Sequence, residues 1–241
     1  MTKRALITGV NSLVNQDLLF KLVDMGSEVP AHYHSENDIT AKLKAQLKNV
    51  NFIQADFSAE ESFLSFIEKA MDGEEYDVVV NAAVYYAEAG DWKVQQDWRQ
   101  WQKSFMVNTT IPGIIMAHAD MAVNDGGVIV NISSTYGQDF MGDTQFAMYS
   151  ASKAALDSLT ATYAKRWAGK IRVVGIAPGW IKSAWNKDMS EQDKKAMIGP
   201  QLTGEWVDPK NIANLMEALI NNPDINATTV LIDGGLSAPI V

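Results

Sequence analysis

Apolar residues follow two alternating rhythms along the chain. Short apolar runs rich in Val, Ile and Ala recur at residues 4–8, 28–33, 50–54, 78–81, 127–132, 171–176 and 229–232. Such near-continuous runs belong to strands buried on both faces. Between them, apolar residues spaced three and four apart predict helices over 12–25, 38–47, 60–71, 98–124, 149–167 and 209–221. Pro112-Gly113 interrupts the longest of these, which predicts a kink or a split there. Strand and helix in regular alternation give an α/β chain, a doubly wound seven-stranded parallel sheet with helices on both faces. No repeat, low-complexity run or Pro/Ser-rich linker divides it, so residues 1–241 read as one domain.

Composition narrows the function classes. With 47% apolar and 20% charged residues the chain is globular, and a net charge of −9 argues against a nucleic-acid or anionic-membrane partner. No cysteine is present, which excludes disulfides, thiol catalysis and Cys-ligated zinc. The apolar run at the N-terminus is too short for a signal peptide, and none approaches the roughly 18 residues of a membrane span. A cytoplasmic location is expected.

The polar residues of interest stand where strands end. Thr8-Gly9 closes the first strand and feeds a helix, the place where free backbone N–H groups and the helix dipole cradle a phosphate. Residues 10–15 bring no further glycine, so this is equally a bare strand-to-helix turn. At the end of the second strand an acid would select NAD by its ribose 2′-hydroxyl, but Tyr33, His34 and Ser35 stand there. His34 and Ser35 can donate to a 2′-phosphate. His32 and His34 share a strand face without a third ligand, and no metal is assigned. Asp56 either accepts from an adenine amino group or caps the next helix. Asn81 ends the fourth strand on the edge where open α/β sheets bind ligands. Ser134, beyond the fifth strand, is either a turn serine or a donor to a substrate oxygen.

Tyr149 and Lys153, four residues apart, share one face of a helix. An ammonium about 4 Å from a phenol stabilises phenolate by roughly 4 kcal/mol at an effective dielectric of 20, about three pKa units as an upper value. Alone, the pair is equally a surface helix carrying an amphipathic lysine.

Taken in order, these residues resemble the short-chain dehydrogenase/reductase family over the whole chain. Thr8-Gly9 resembles the start of its glycine-rich turn, Asp56 its adenine-contacting Asp, and Asn81-Ala82-Ala83 its segment after strand four. Asn108 resembles its active-site Asn, Ser134 with Tyr149 and Lys153 its catalytic Ser and Tyr-x-x-x-Lys, Pro178-Gly179 its nicotinamide-side turn, and Asp233-Gly234-Gly235 its C-terminal signature.

The resemblance implies a Rossmann fold and hydride transfer between a nicotinamide cofactor and a small carbonyl or alcohol. Tyr149 would be the general acid in reduction, Ser134 would hold the carbonyl oxygen, and Lys153 would lower the Tyr149 pKa and bind the ribose. Asn108 would position a water in a proton relay. The cofactor, NADP slightly favoured over NAD, would meet Thr8, Gly9, Asn11, Leu13, His34, Asp56, Phe57, Asn81, Ala82, Ala83, Tyr149, Lys153, Pro178, Gly179 and Ile181.

Three departures bear on cofactor binding. In the family pattern Thr-Gly-x-x-x-Gly-x-Gly, Leu13 and Asn15 replace the second and third glycines, and Val84 replaces the glycine after strand four. Asn15 tolerates left-handed backbone angles. Leu13 is expected to intrude where the pyrophosphate or ribose belongs. The alternative is therefore a non-redox relative, a binding or regulatory protein or an acid–base enzyme with weak or no nicotinamide binding.

Residues 180–206, with Trp180, Trp185, Met189, Met197 and Trp206, correspond to the family's mobile substrate lid and suit an apolar or aromatic ligand. Tyr85, Tyr86, Trp92, Trp98 and Trp101 line either a pocket, the core or a subunit contact. Ala151, Ala154, Ala155, Ser158 and Ala161 allow close helix approach on the helix through which the family commonly dimerises, so a homodimer or homotetramer is expected.

Overall fold

A computed structural model of the chain describes residues 3–87, 92–138, 141, 146–183 and 189–238. Its strands are β1 (Ala5–Ile7), β2 (Pro30–Tyr33), β3 (Asn51–Gln54), β4 (Tyr76–Asn81), β5 (Val123–Ile132), β6 (Arg172–Pro178) and β7 (Thr229–Ile232). All pair in parallel in one sheet of order 3-2-1-4-5-6-7.

Successive side chains of a strand face opposite ways, and here the central strands β1, β4, β5 and β6 feed two cores. Ala5, Ile7, Val78, Val80, Val128, Val130, Val174 and Ile176 pack on one face, and Leu6, Val79, Ile129 and Val173 on the other. Helices α1 (Leu13–Asp24), α2 (Asp38–Gln46) and α10 (Pro209–Asn221) cover the first face through Leu18, Leu22, Leu43, Ile212 and Met216. The second is covered by α3 (Glu60–Ala70), α6 (Ile111–Ala117) and α8 (Ala147–Arg166), through Phe63, Phe66, Ile111, Ile115 and Leu156. The remaining helices are α4 (Trp92–Gln96), α5 (Trp98–Phe105), α7 (Ala119–Ala122) and α9 (Glu191–Ile198).

The long helix expected over 98–124 is split, but not by a simple break at the proline. Between α5 and α6 lies a π-helical turn, Met106–Thr110, and Pro112 occupies the first turn of α6. Proline has no N–H to return to the carbonyl four residues back, which here belongs to Asn108, and the ladder adjusts by one residue. The helical stretch also ends earlier, because Val123 already pairs with Tyr76 at the start of β5.

The strand order reverses between β1 and β4, whose carboxyl ends therefore open a crevice. No helix among the described residues is long and apolar enough to cross a membrane.

Candidate active site

The crevice begins at Gly9. Its φ of +79° and an added Cβ only 2.5 Å from the Ala83 Cα make a side chain impossible without moving backbone. The buried Thr8 hydroxyl accepts the N–H groups of Ala82 at 3.0 Å and Ala83 at 3.1 Å, fixing the segment after β4 against this turn. Asn15 adds a second clamp. Its Nδ2 donates to the carbonyls of Gly9 at 2.7 Å and Ala82 at 2.8 Å. Ser12 caps α1 by accepting the Asn15 N–H at 3.2 Å.

Beyond the turn, a cavity of about 310 Å³ is lined by Gly9, Asn11, His34, Asp56, Phe57 and Ala83 among others. His32 forms part of its wall and stacks on Phe57 with ring centroids 3.8 Å apart. Gly9 N–H donates to His32 Nδ1 at 3.1 Å, so Nε2 carries the proton shared with the Ala55 carbonyl at 3.0 Å. Burial drives His32 down to a pKa of about 4, keeping this tautomer neutral. Burial works to raise the Asp56 carboxyl, but bonds from the Ser58 hydroxyl and N–H, with the nearby His34 and Lys103, together outweigh it and leave the pKa lowered. Asp56 therefore orders its own loop and faces the cavity at once. The nearest acid past β2, Glu36, is bonded to Lys44, Tyr33 and Thr40.

The other end of the crevice holds the catalytic candidates. A second cavity, of about 190 Å³, shares Ser12 and Val84 with the first and is lined by Asn15, Ala82, Lys153, Pro178, Gly179 and Ile181 with Ser134 and Tyr149. Ser134 and Tyr149 face the cavity together, and the Tyr136 N–H donates to Ser134 Oγ at 3.2 Å. Lys153 is buried one helical turn beyond Tyr149. Its Nζ donates to the Ile132 carbonyl at 2.7 Å and lies 5.8 Å from the Tyr149 ring centroid. Burial lowers Lys153 to a pKa of about 8, opposed by the charge of Asp157.

Several expectations are corrected. The Tyr149 phenol is not lowered by Lys153 in this structure: burial raises it, and the neighbouring Ser134 hydroxyl only partly offsets that. Leu13 is 40% exposed and lines none of the three crevice cavities formed by the described residues, because the first turn of α1 aims it outward. Val14, the next residue, faces the crevice instead, and Val84 lines all three cavities formed by the described residues. Asn15 does not use a left-handed conformation; it is an ordinary helical residue whose amide makes the clamp. The Asn81 side chain lies inside the sheet, donating to Asn131 Oδ1 at 2.8 Å, and Thr8 serves the loop, so neither lines the crevice. Asn108 is wholly buried and its amide is committed. It brackets the Tyr85 backbone at 2.8 and 3.0 Å and donates to Ser152 Oγ at 3.0 Å, bracing the loop after β4 against α8.

Of the aromatic residues, Tyr86 and Trp180 line a third cavity, beside Ser134 and Tyr149, whereas Trp98 is 60% exposed and Trp101 donates to the Gln95 carbonyl. Trp185 and the side chain of Trp92 lie outside the described residues. Tyr136, Phe146 and Lys103, which also line the crevice, escaped the sequence reading, although Tyr136 and Phe146 sit only two and three residues from Ser134 and Tyr149.

The family model described as enoyl-(acyl carrier protein) reductase matches residues 20–237. This chain belongs to the short-chain dehydrogenase/reductase family. This family member is 31% identical, over 208 residues, to an uncharacterized oxidoreductase of Thermotoga maritima, covering 80% of this chain and 78% of that protein. Its fold is that of the short-chain dehydrogenase/reductase from Serratia marcescens, with a TM-score of 0.87, 23% identity and 98% of each chain covered. It is also similar to the Pseudomonas aeruginosa RhlG/NADP active-site complex, with a TM-score of 0.83 and 25% identity over 97% of this chain and 96% of that one.

Proposed function

We propose that this chain is an NAD(P)-dependent oxidoreductase that moves a hydride between a nicotinamide cofactor and a small carbonyl or alcohol. The observation that carries this reading is that Ser134 and Tyr149 line one cavity, with Lys153 buried one turn away, at the end of a crevice that starts at the sheet's switch point. The crevice suits a dinucleotide. Gly9 admits no side chain, the first-turn amides of α1 offer an anion site, and Phe57 with His32 gives a flat wall for a base.

When bound, the nicotinamide supplies or accepts the hydride. In reduction, the Ser134 hydroxyl donates to the carbonyl oxygen and holds it against the phenol. As the carbonyl carbon gains the hydride, Tyr149 passes its proton to the oxygen and the alcohol forms. A phenol raised by burial stays protonated near neutral pH, which suits the reductive direction; oxidation needs phenolate and gains as pH rises. Lys153 places a cation beside the developing phenolate. Asn108 acts as a positioning residue, holding the Tyr85 loop.

NADP is slightly favoured over NAD. No acid stands at residues 33–35, Glu36 is occupied by Lys44, and His34 and Lys103 line the cavity nearest the end of β2. The similarity to an NADP complex points the same way. With Leu13 outside the crevice, a non-redox reading keeps only Val84 in its support. The exposed Ala154 and Ser158 on α8 favour a homodimer or homotetramer.

The test is consumption of reduced nicotinamide in the presence of a panel of small ketones and aldehydes. Turnover that disappears in Tyr149→Phe is expected; a panel that gives no consumption with NADPH or NADH would sink this reading.

A further inference from the structure

The cavity beside Ser134 and Tyr149 has its own chemistry. It measures about 340 Å³, space for roughly eleven groups of water size at about 30 Å³ each. Among the described residues its lining carries no Lys, Arg, His, Asp or Glu side chain. Five aromatic rings surround it. Tyr86 meets Tyr149 edge-on at 5.3 Å and 75°, Tyr136 meets Trp180 at 5.6 Å and 74°, and Phe146 meets Trp180 at 5.9 Å and 67°. Phe146 also lies 5.2 Å from Tyr136 and 5.7 Å from Tyr86. At its edge Val84 and Tyr86, both large and apolar, remain 48% and 38% exposed.

These features select an occupant. A flat ring entering the cluster extends the edge-to-face contacts already present, an interaction that a saturated ring of equal size cannot make. A carboxylate or phosphate on the same ring would lose water and meet no cationic side chain among the described lining residues. The lining also includes Ser134 and Tyr149, so the occupant must present an oxygen to them. We propose that the substrate is an uncharged aromatic ketone or aldehyde, or the matching benzylic alcohol, with its ring among Tyr86, Tyr136, Phe146 and Trp180. For its chemical step this rests on the hydride-transfer reading above: the carbonyl carbon gains the hydride, the oxygen gains the Tyr149 proton, which solvent replaces, and carbonyl plus reduced cofactor plus one proton gives alcohol plus oxidised cofactor. The seating of the ring does not depend on that step.

The experiment reads binding and turnover separately. Acetophenone, cyclohexyl methyl ketone and 4-acetylbenzoate are titrated into the full chain by ligand-observed NMR, with and without NADPH, and kcat/KM is measured for each. Acetophenone is expected to bind about tenfold more tightly than 4-acetylbenzoate and several-fold more tightly than the cyclohexyl ketone. In Phe146→Leu and Trp180→Leu the ratio of acetophenone to cyclohexyl ketone binding should fall. If either variant fails to fold, the comparison of the three ligands on the unsubstituted chain decides alone. Equal or tighter binding of 4-acetylbenzoate, no preference for the aromatic ring, or no binding of acetophenone overturns the inference. A preserved ring preference without hydride transfer to any carbonyl counts instead against the redox reading, while transfer confined to charged or aliphatic carbonyls counts against this inference alone.

Discussion

Replacing Lys153 with Met should stabilise the cofactor-free protein while removing activity. The Lys153 side chain is 3% exposed, and burial lowers its pKa from 10.5 to about 8. At pH 7 the folded protein therefore holds a buried ammonium at a cost of roughly 3 kcal/mol, from about 1.4 kcal/mol per pKa unit. Methionine has a similar length and no charge. It also forfeits the ammonium's bond to the Ile132 carbonyl, worth about 2 kcal/mol, which leaves a net gain of about 1 kcal/mol. In a chain of this size that corresponds to roughly 2–4 °C in Tm.

The pH dependence identifies the cause. Below pH 8 the lysine is protonated folded and unfolded, and the penalty is complete. Between about 8 and 10.5 the unfolded chain binds a proton that the folded chain does not, so wild-type stability rises with pH and the advantage of Lys153→Met shrinks. Urea unfolding of both proteins across this range, without nucleotide, measures the gap. A variant less stable than wild type at pH 7, or a gap constant with pH, would refute the reasoning.

Tyr149→Phe removes the transferable proton but little volume. Its kcat should fall by on the order of a thousandfold in steady-state assays, with cofactor affinity within about twofold of wild type. Leu13→Gly, at a position outside the crevice cavities, should leave cofactor affinity unchanged by calorimetry and cost about 1 kcal/mol of stability. Val84→Gly, at a residue common to those cavities, should tighten it. Asn15→Gly restores a family glycine yet strips two bonds from the buried turn, so chemical denaturation should report a loss of roughly 2–3 kcal/mol.

Much of this was legible in the sequence because parallel strands buried on both faces leave continuous apolar runs. The seven runs coincide with the seven strands, β7 residue for residue. The first half of β5 was hidden, because Asn124-Asp125-Gly126-Gly127 is polar and flexible in isolation, and its register with β4 is a long-range property. Helix α9 was hidden for a different reason: none of its residues is buried, so it has no apolar stripe to read. At the site, order along the chain located Ser134, Tyr149 and Lys153, but direction was harder. One residue of helical rotation separates Leu13, outside the crevice, from Val14 within it. For Asn81 the answer was available in strand alternation, since it shares the parity of Val79 and therefore turns toward α6 and α8. Proximity to Lys153 alone predicts a lowered Tyr149 pKa, and burial, which perturbs both groups, reverses it.

The central claim is that the crevice from Asp56 to Ile181 holds a nicotinamide dinucleotide for hydride transfer at Tyr149. Calorimetric titration of NADPH and NADH into the full chain tests it most directly. Saturable binding in the micromolar range is predicted, with NADPH the tighter of the two. Failure of both to bind at millimolar concentration would contradict it.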